Sequence, residues 1–178
     1  MMKELMLQKS FEKITIKQIC DKTGVIRATF YNYFEDKYAA LSYIIYLDTV
    51  ETALPYIEKR QFLQAVKAML DNFVENREFY QIAFRITGQN SFEDLFEENI
   101  QQLFAEMFRR YGRPEKLGTM SEEELAGYFG NSLCYTVNHW LCRNRGMDSE
   151  TFLKQYGFVV TSSIFDFLDM SQADGKGF

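Results

Sequence analysis

Apolar residues recur every three or four positions along most of this chain, which is the spacing of one face of an amphipathic α-helix. One apolar stripe lies between Gln61 and Asn76, and a longer one lies between Ser91 and Tyr111. The first stripe consists of Phe62, Val66, Met69, Leu70 and Phe73. The alternation typical of a half-buried β-strand does not occur in the sequence, and there are only two prolines. The pattern predicts an all-α protein.

Helix-breaking and helix-capping residues divide the chain into two predicted units. Three short helices form an N-terminal head, residues 1–45, and about six helices form a C-terminal body, residues 46–178. A long helix beginning near Asp36 should join them. Pro55 should bend or end that helix, because proline lacks a backbone donor. The later helices are expected at residues 61–76, 78–86, 91–111, 121–145 and 149–170.

The stretch TIKQICDKTGVIRATFYNYFEDK, residues 15–37, carries the most specific local signal. Thr15 and Gln18 have the spacing of a capping box, which starts a helix. Gly24 can supply the positive φ that a tight turn needs. A second short helix is predicted over Arg27–Phe34. Two short helices around a glycine turn form a helix-turn-helix, whose second helix can enter a DNA major groove.

The same residues resemble the DNA-binding signature of TetR/AcrR-type transcriptional regulators. The shared pattern is T-[IV]-x-x-I-x-x-x-x-G-V-x-x-x-T-F-Y-x-Y-F-x-D-K, and the resemblance extends from Phe11 to about Leu41. Within the family, the segments FEKITIKQIC and FYNYFEDKYAALSYII are most similar to the Firmicutes-type branch, which includes regulators of dihydroxyacetone kinase operons. The resemblance implies a homodimeric regulator of a palindromic double-stranded DNA operator, usually a ligand-responsive repressor.

Two features depart from the family pattern. Ile26 occupies the position before the second helix, where the family has a polar capping residue, and an isoleucine cannot cap. Only Met1–Gln8 remains for the first helix, which allows about two turns. We therefore expect either a start farther upstream or a loosely packed head. The second hypothesis for function follows: a regulator with impaired autonomous DNA binding that acts through a partner protein.

The residues expected to contact DNA lie on the second helix and at the two flanking helix starts. They are Thr15, Arg27, Ala28, Thr29, Tyr31, Asn32, Tyr33 and Lys37. Arg27 suits bidentate contact with guanine, although a phosphate contact or a solvated side chain is an equal alternative. Asn32 suits a hydrogen-bonded contact with adenine, and a solvent-facing side chain is the alternative. Lys37 and Thr15 are expected on phosphates, and Val25 and Phe30 are predicted to pack beneath the helices.

Small residues on the last two long helices predict a close helix–helix contact. They are Gly127, Gly130, Cys134, Gly157 and Thr161, with Ile164 and Phe165 beside them. Glycine weakens a helix, so several glycines favour a close approach by another backbone. Close packing inside one monomer is the alternative. The family resemblance implies a dimer joined through a four-helix bundle, and it favours the intermolecular reading.

The family resemblance also implies an effector cavity in the body. Aromatic and polar residues at helical spacing are the candidates: Phe73, Phe84, Phe104, Met107, Tyr128, Asn131, Tyr135 and His139. Most such residues are ordinary core in other proteins, and His139 is more simply a core or surface histidine. An uncharged or aromatic effector is expected, because no buried-looking cluster of Arg or Lys appears in the body.

Composition and charge agree with this interpretation. The 178-residue chain has a net charge of −5, but residues 1–45 hold seven Lys or Arg against five Asp or Glu. A mildly basic head on an acidic body suits a small DNA footprint. A single His and no C-x-x-C argue against a metal site, and no cofactor or enzyme site is expected. Three Cys without a signal peptide or membrane span predict reduced thiols and a cytoplasmic protein.

Overall fold

The computed structural model describes residues 1–88, 90–113, 119–143, 146–162 and 164–167. Within these ranges the chain is helical and no strand occurs, so the predicted all-α class is confirmed. The helices are α1 Met2–Gln8, α2 Ile16–Thr23, α3 Arg27–Tyr33, α4 Lys37–Tyr46, α5 Thr52–Ile57, α6 Phe62–Glu75, α7 Arg77–Ala83, α8 Phe92–Tyr111, α9 Glu122–Arg143 and α10 Ser149–Thr161. Short 3₁₀ turns cover Phe11–Lys13 and Ile164–Phe167.

The three helices of the head fold around a small apolar core. Although α1 has only two turns, it buries Met2, Leu5 and Met6. Beneath it, Ile19 of α2 and Phe30 of α3 are also buried. The short first helix therefore covers part of the head core, which the sequence predicted to be loosely packed. An open apolar hollow of about 370 Å³ lies beside Met2 and Phe34.

The helix that begins after Asp36 continues from the head into the body. The Asp36 side chain caps it by accepting a 2.8 Å hydrogen bond from the Ala39 amide. A π-helical turn, Leu47–Glu51, separates α4 from α5. Pro55 lies inside α5, and α5 ends at Ile57. Because proline crowds the carbonyl four residues before it, the wider π-turn accommodates the ring without breaking the helix.

The body packs α6, α8, α9 and α10 around an aromatic core. The long helices α8 and α9 lie against each other, α6 contacts α5 and α10, and α7 contacts α1 of the head. Phe73, Tyr80, Phe92 and Phe96 are fully buried at the centre. The Phe73 and Tyr80 ring centroids lie 4.9 Å apart, so side chains fill this central region.

The end of the last predicted helix differs from the structure. The final predicted helix, residues 149–170, stops at Thr161 and is followed by the 3₁₀ turn Ile164–Phe167. Residues 168–170 lie outside the described residues. None of the helices in the described ranges combines the length and apolarity needed to cross a membrane.

Candidate nucleic-acid interface

The turn between α2 and α3 has the conformation that the sequence predicted. The Thr15 hydroxyl accepts from the Gln18 amide at 3.3 Å, and the Gln18 side chain accepts from the Thr15 amide at 3.1 Å. Gly24 ends α2 with φ +73°, and its amide donates to the Cys20 carbonyl. Because this φ strains a side chain with a Cβ, glycine fits the turn best.

Helix α3 has one buried side and one broad exposed side. Phe30 is buried and packs its ring 5.4 Å from the ring of Phe34. Arg27, Ala28, Tyr31, Asn32 and Tyr33 are exposed, and Thr29 is half-buried. Tyr33 is 77% exposed. All the predicted base-reading side chains thus lie on the solvent side of one helix, where a DNA groove can reach them.

Val25 and Ile26, in the turn before α3, are apolar residues that are exposed to solvent. Val25, which was predicted to pack beneath the helices, instead lines the apolar hollow and is 39% exposed. Ile26 precedes α3 without capping it and is 70% exposed. An exposed isoleucine beside the base-reading face suits contact with a thymine methyl group.

The Lys37 side chain is already engaged inside the head. Its ammonium donates to the carbonyls of Phe11, Glu12 and Ile14 at 2.8, 3.1 and 3.2 Å. It also lies 4.6 Å from the centroid of the Phe11 ring. These three acceptors use all three ammonium protons. In this structure Lys37 therefore fixes the turn between α1 and α2 to the start of α4, and its predicted contact with a phosphate stays a prediction.

The predicted effector residues do not come together in this structure. Phe73 and Phe84 pack in the filled core, with the Phe84 and Phe92 ring centroids 4.9 Å apart. The four predicted residues of α9 are exposed on its outer side: Tyr128, Asn131, Tyr135 and His139. Phe104 and Met107 border an opening between α6, α8, α9 and α10, whereas Phe84 borders a separate, smaller one beside Asn138 and Cys142. The prediction failed for α9 because its inner side packs on α8 and turns these polar residues outward.

The small residues that were predicted to form one helix–helix contact do not share one environment in the structure. Gly130 and Cys134 are buried against α8, and a Cβ on Gly130 would lie 2.9 Å from Gln101 Cγ. Those two residues therefore form a contact inside the monomer, and their assignment to a dimer interface is wrong. A Cβ on Gly127 or Gly157 would meet no atom within 4 Å.

The remaining predicted interface residues lie near the end of α10. Thr161 is exposed, and its hydroxyl donates to the Gly157 carbonyl at 2.8 Å. The side chains of Ile164 and Phe165 lie outside the described residues. Two large exposed side chains lie on α9 and two on α10, and we call these four residues the outer face: Tyr128, Tyr135, Phe158 and Val159.

An exposed second helix in a helix-turn-helix head, joined by a continuous helix to an all-α body, defines a DNA-binding transcriptional regulator. The chain belongs to the TetR family. Residues 3–43 match the model of bacterial regulatory proteins of the tetR family, and residues 60–161 match that of a transcriptional regulator C-terminal region.

A solved structure with a similar fold is the dihydroxyacetone kinase operon activator DhaS. It shares 22% sequence identity with a TM-score of 0.60, and the alignment covers 90% of this chain and 88% of that chain. No curated protein sequence gives a significant match.

Proposed function

We propose that this TetR-family regulator reads a palindromic operator as a homodimer, with α3 of each head in a major groove. The exposed side of α3 carries the proposal, because it places a guanidinium, an amide and two phenols on one surface. Arg27 would contact guanine O6 and N7, and Asn32 would contact adenine. Ala28, Thr29 and Ile26 suit thymine methyl groups, while Thr15, Tyr31 and Tyr33 suit the phosphate backbone.

Dimerisation is proposed through the outer face. Tyr135 is 72% exposed and Phe158 is 61% exposed, although both are large and partly apolar. Large solvent-exposed side chains of this kind are typical of protein interfaces, where tyrosine and phenylalanine are enriched. Pairing two copies about a two-fold axis would bury them and would set two α3 helices on successive half-sites. The small net positive charge of the head favours the same arrangement. One head attracts DNA only weakly, whereas two heads joined in a dimer bind the DNA together.

Ligand control and repression are the remaining parts of the proposal. A small effector entering the body would shift the heads and release the operator, in the cytoplasm of a bacterial cell. The opening beside Phe104 and Met107 supports a binding place for an apolar molecule. The related structure carries the name of an operon activator, so activation is the alternative direction of control.

A second candidate is a regulator that binds DNA only with a partner protein. The uncapped, exposed Ile26 and the apolar hollow in the head favour it, because both features leave apolar surface on the DNA-binding unit. A partner covering this surface would complete the head. The two candidates differ in whether the purified chain recognises DNA alone.

Selection of binding sites from a random duplex library tests the proposal. The purified chain should enrich one palindromic sequence within a few rounds. The double variant Arg27→Ala with Asn32→Ala should fold, by circular dichroism, and enrich no sequence. Enrichment of a single sequence by the purified chain excludes the partner-dependent candidate. If a folded dimer enriches nothing, autonomous operator recognition is refuted.

A further inference from the structure

Two adjoining hollows open at the end of the body between α6, α8, α9 and α10. Their volumes are about 290 and 460 Å³. Both are lined by Phe62, Met107, Phe108 and Phe129, so they adjoin, and we call them together the apolar groove. The Phe108 and Phe129 ring centroids lie 5.9 Å apart in its wall. This size and lining suit the apolar part of a small molecule.

One end of the apolar groove is basic. Arg113 lines it directly. The Arg60 guanidinium lies 5.2 Å from the centroid of the Tyr111 ring, and Tyr111 lines the same end. Nearby Arg109 and Arg110 both pair with the Glu106 carboxylate. By contrast, neither Arg60 nor Arg113 forms an ion pair with the described residues.

The backbone also holds Arg60 in an unusual conformation. Its φ is +57°, a region that residues other than glycine seldom adopt. The Arg60 amide donates to the Ile57 carbonyl at 2.8 Å, which closes the end of α5. The turn thus directs an arginine toward Tyr111 at a position where glycine is more common.

We propose that the apolar groove binds an amphipathic carboxylate, a medium-chain fatty acid, with its carboxylate at Arg60 and Arg113. The chain would lie along Phe62, Met107 and Phe129 toward α10. Guanidinium groups suit carboxylates because both are planar and form paired hydrogen bonds. This inference deepens the proposed ligand control and rests on it. It also revises the charge of the effector, since the sequence indicated an uncharged molecule.

The position of α10 connects this groove with the proposed dimer. Tyr156, Gly157 and Val160 line the groove, whereas Phe158 and Val159 point to the outer face. A ligand that displaces the groove side of α10 therefore displaces the outer face as well. Occupancy would in this way alter the distance between the two heads, without a separate hinge in the body.

Displacement of a fluorescent probe tests the inference on the full chain without DNA. N-phenyl-1-naphthylamine, an uncharged apolar fluorophore, would be displaced by decanoate, decanol or decylammonium below their micelle concentrations. Decanoate should bind about three- to tenfold more tightly than decanol, the range expected of one or two partly exposed ion pairs. Decylammonium should bind most weakly. Equal displacement by all three compounds, or none by decanoate, overturns the proposal.

Two pairs of variants separate the charged end from the apolar end. Arg60→Gln with Arg113→Gln should remove the preference for decanoate and leave decanol binding unchanged, whereas Arg143→Gln, at the end of α9, should change neither. Gly157→Phe should abolish binding of all compounds by filling the groove, while Gly157→Ala should not, because its Cβ meets no neighbour within 4 Å. A decanoate preference that survives loss of both arginines overturns the proposed carboxylate position.

The same ligands distinguish this inference from the proposed function. If the chain binds a selected operator but not decanoate, the fatty-acid assignment fails and operator recognition stands. If decanoate binds with the expected preference but leaves operator affinity unchanged, the groove site stands and ligand control through it fails.

Discussion

The Tyr80 hydroxyl donates a 2.7 Å hydrogen bond to the Asp48 carboxylate at the junction of head and body. Asp48 lies on the π-turn between α4 and α5, and Lys3 of α1 forms an ion pair with the same carboxylate oxygen. Burial, followed by the negative charge of Asp48, raises the pKa of Tyr80 well above its ordinary value. The phenol therefore remains a donor, and one carboxylate connects a head helix, the π-turn and α7.

Replacing Tyr80 by Phe should destabilise the folded chain. The change leaves the largely buried Asp48 carboxylate with one hydrogen bond fewer, at a cost of about 1–3 kcal/mol in the free energy of unfolding. Urea unfolding measures this difference. Tyr135→Phe is the matched control, because its exposed phenol makes no such contact, and it should leave stability unchanged. Equal stability of the two variants would show that the Asp48 contact contributes nothing.

Replacing Lys37 by Met should weaken the head rather than its attraction to phosphate. Three carbonyls lose a charged donor, which should lower the free energy of unfolding by about 1–3 kcal/mol. Hydrogen exchange should become faster in residues 11–15, and the dependence of operator binding on salt should keep its slope. Lys17→Met, on the exposed side of α2, is the control for stability. Unchanged stability, with a salt slope reduced by about one, would restore the phosphate role.

Changes on the outer face of α9 and α10 should have different consequences from a change on the buried side of α9. Tyr135→Arg and Phe158→Arg place charge in the outer face, so sedimentation should detect monomers with unchanged helicity. Gly130→Leu instead overpacks the contact with α8 and should lower the monomer's stability by about 1–3 kcal/mol. If the arginine variants remain dimeric, the two-fold contact lies elsewhere.

Acid should weaken the start of α10. The Asp148 carboxylate accepts a 2.7 Å hydrogen bond from the Thr151 amide, and that bond holds the pKa of Asp148 below its usual 3.8. A lowered folded-state pKa means that this stabilisation is present above the usual value and is lost as the pH falls through the lowered one.

Urea unfolding over a pH series measures this loss. The stability difference between the natural chain and Asp148→Ala should be constant near neutral pH and shrink below about pH 3.8. Asp148→Asn keeps a capping oxygen that does not titrate, so its difference from Asp148→Ala should not change over the same range. A difference for the natural chain that stays constant into acid would exclude titration of this cap.

The head could be predicted from sequence because its signals are local. The Thr15 capping box and the Gly24 turn each depend on residues within a few positions of one another. The carbonyl partners of Lys37 were not predicted, because they lie 23 to 26 positions away and no local pattern indicates carbonyls that distant. Its charge and its place at the start of a helix had favoured a phosphate contact.

The two sides of α9 could not be told apart by periodicity. Small residues such as Gly130 and larger ones such as Tyr135 both recur at helical spacing. Which of these residues face the interior depends on where α8 lies. Only the structure places Gln101 of α8 against Gly130, which turns Tyr135 outward. The four predicted effector residues of α9 are exposed for the same reason, and Phe104 and Met107 are the predicted effector residues that line the apolar groove.

The affinity of Arg27→Ala for a selected operator tests operator reading by α3 most directly. Fluorescence anisotropy would compare it with the natural chain on the operator and on duplexes changed at each base pair. Loss of the guanine contact should weaken the free energy of operator binding by about 1–3 kcal/mol. It should also relax the preference at one base pair in each half-site. Lys59→Ala, on the exposed surface of the body, should bind like the natural chain. If Arg27→Ala retains full affinity and the same preference at every base pair, α3 does not read the operator through this residue.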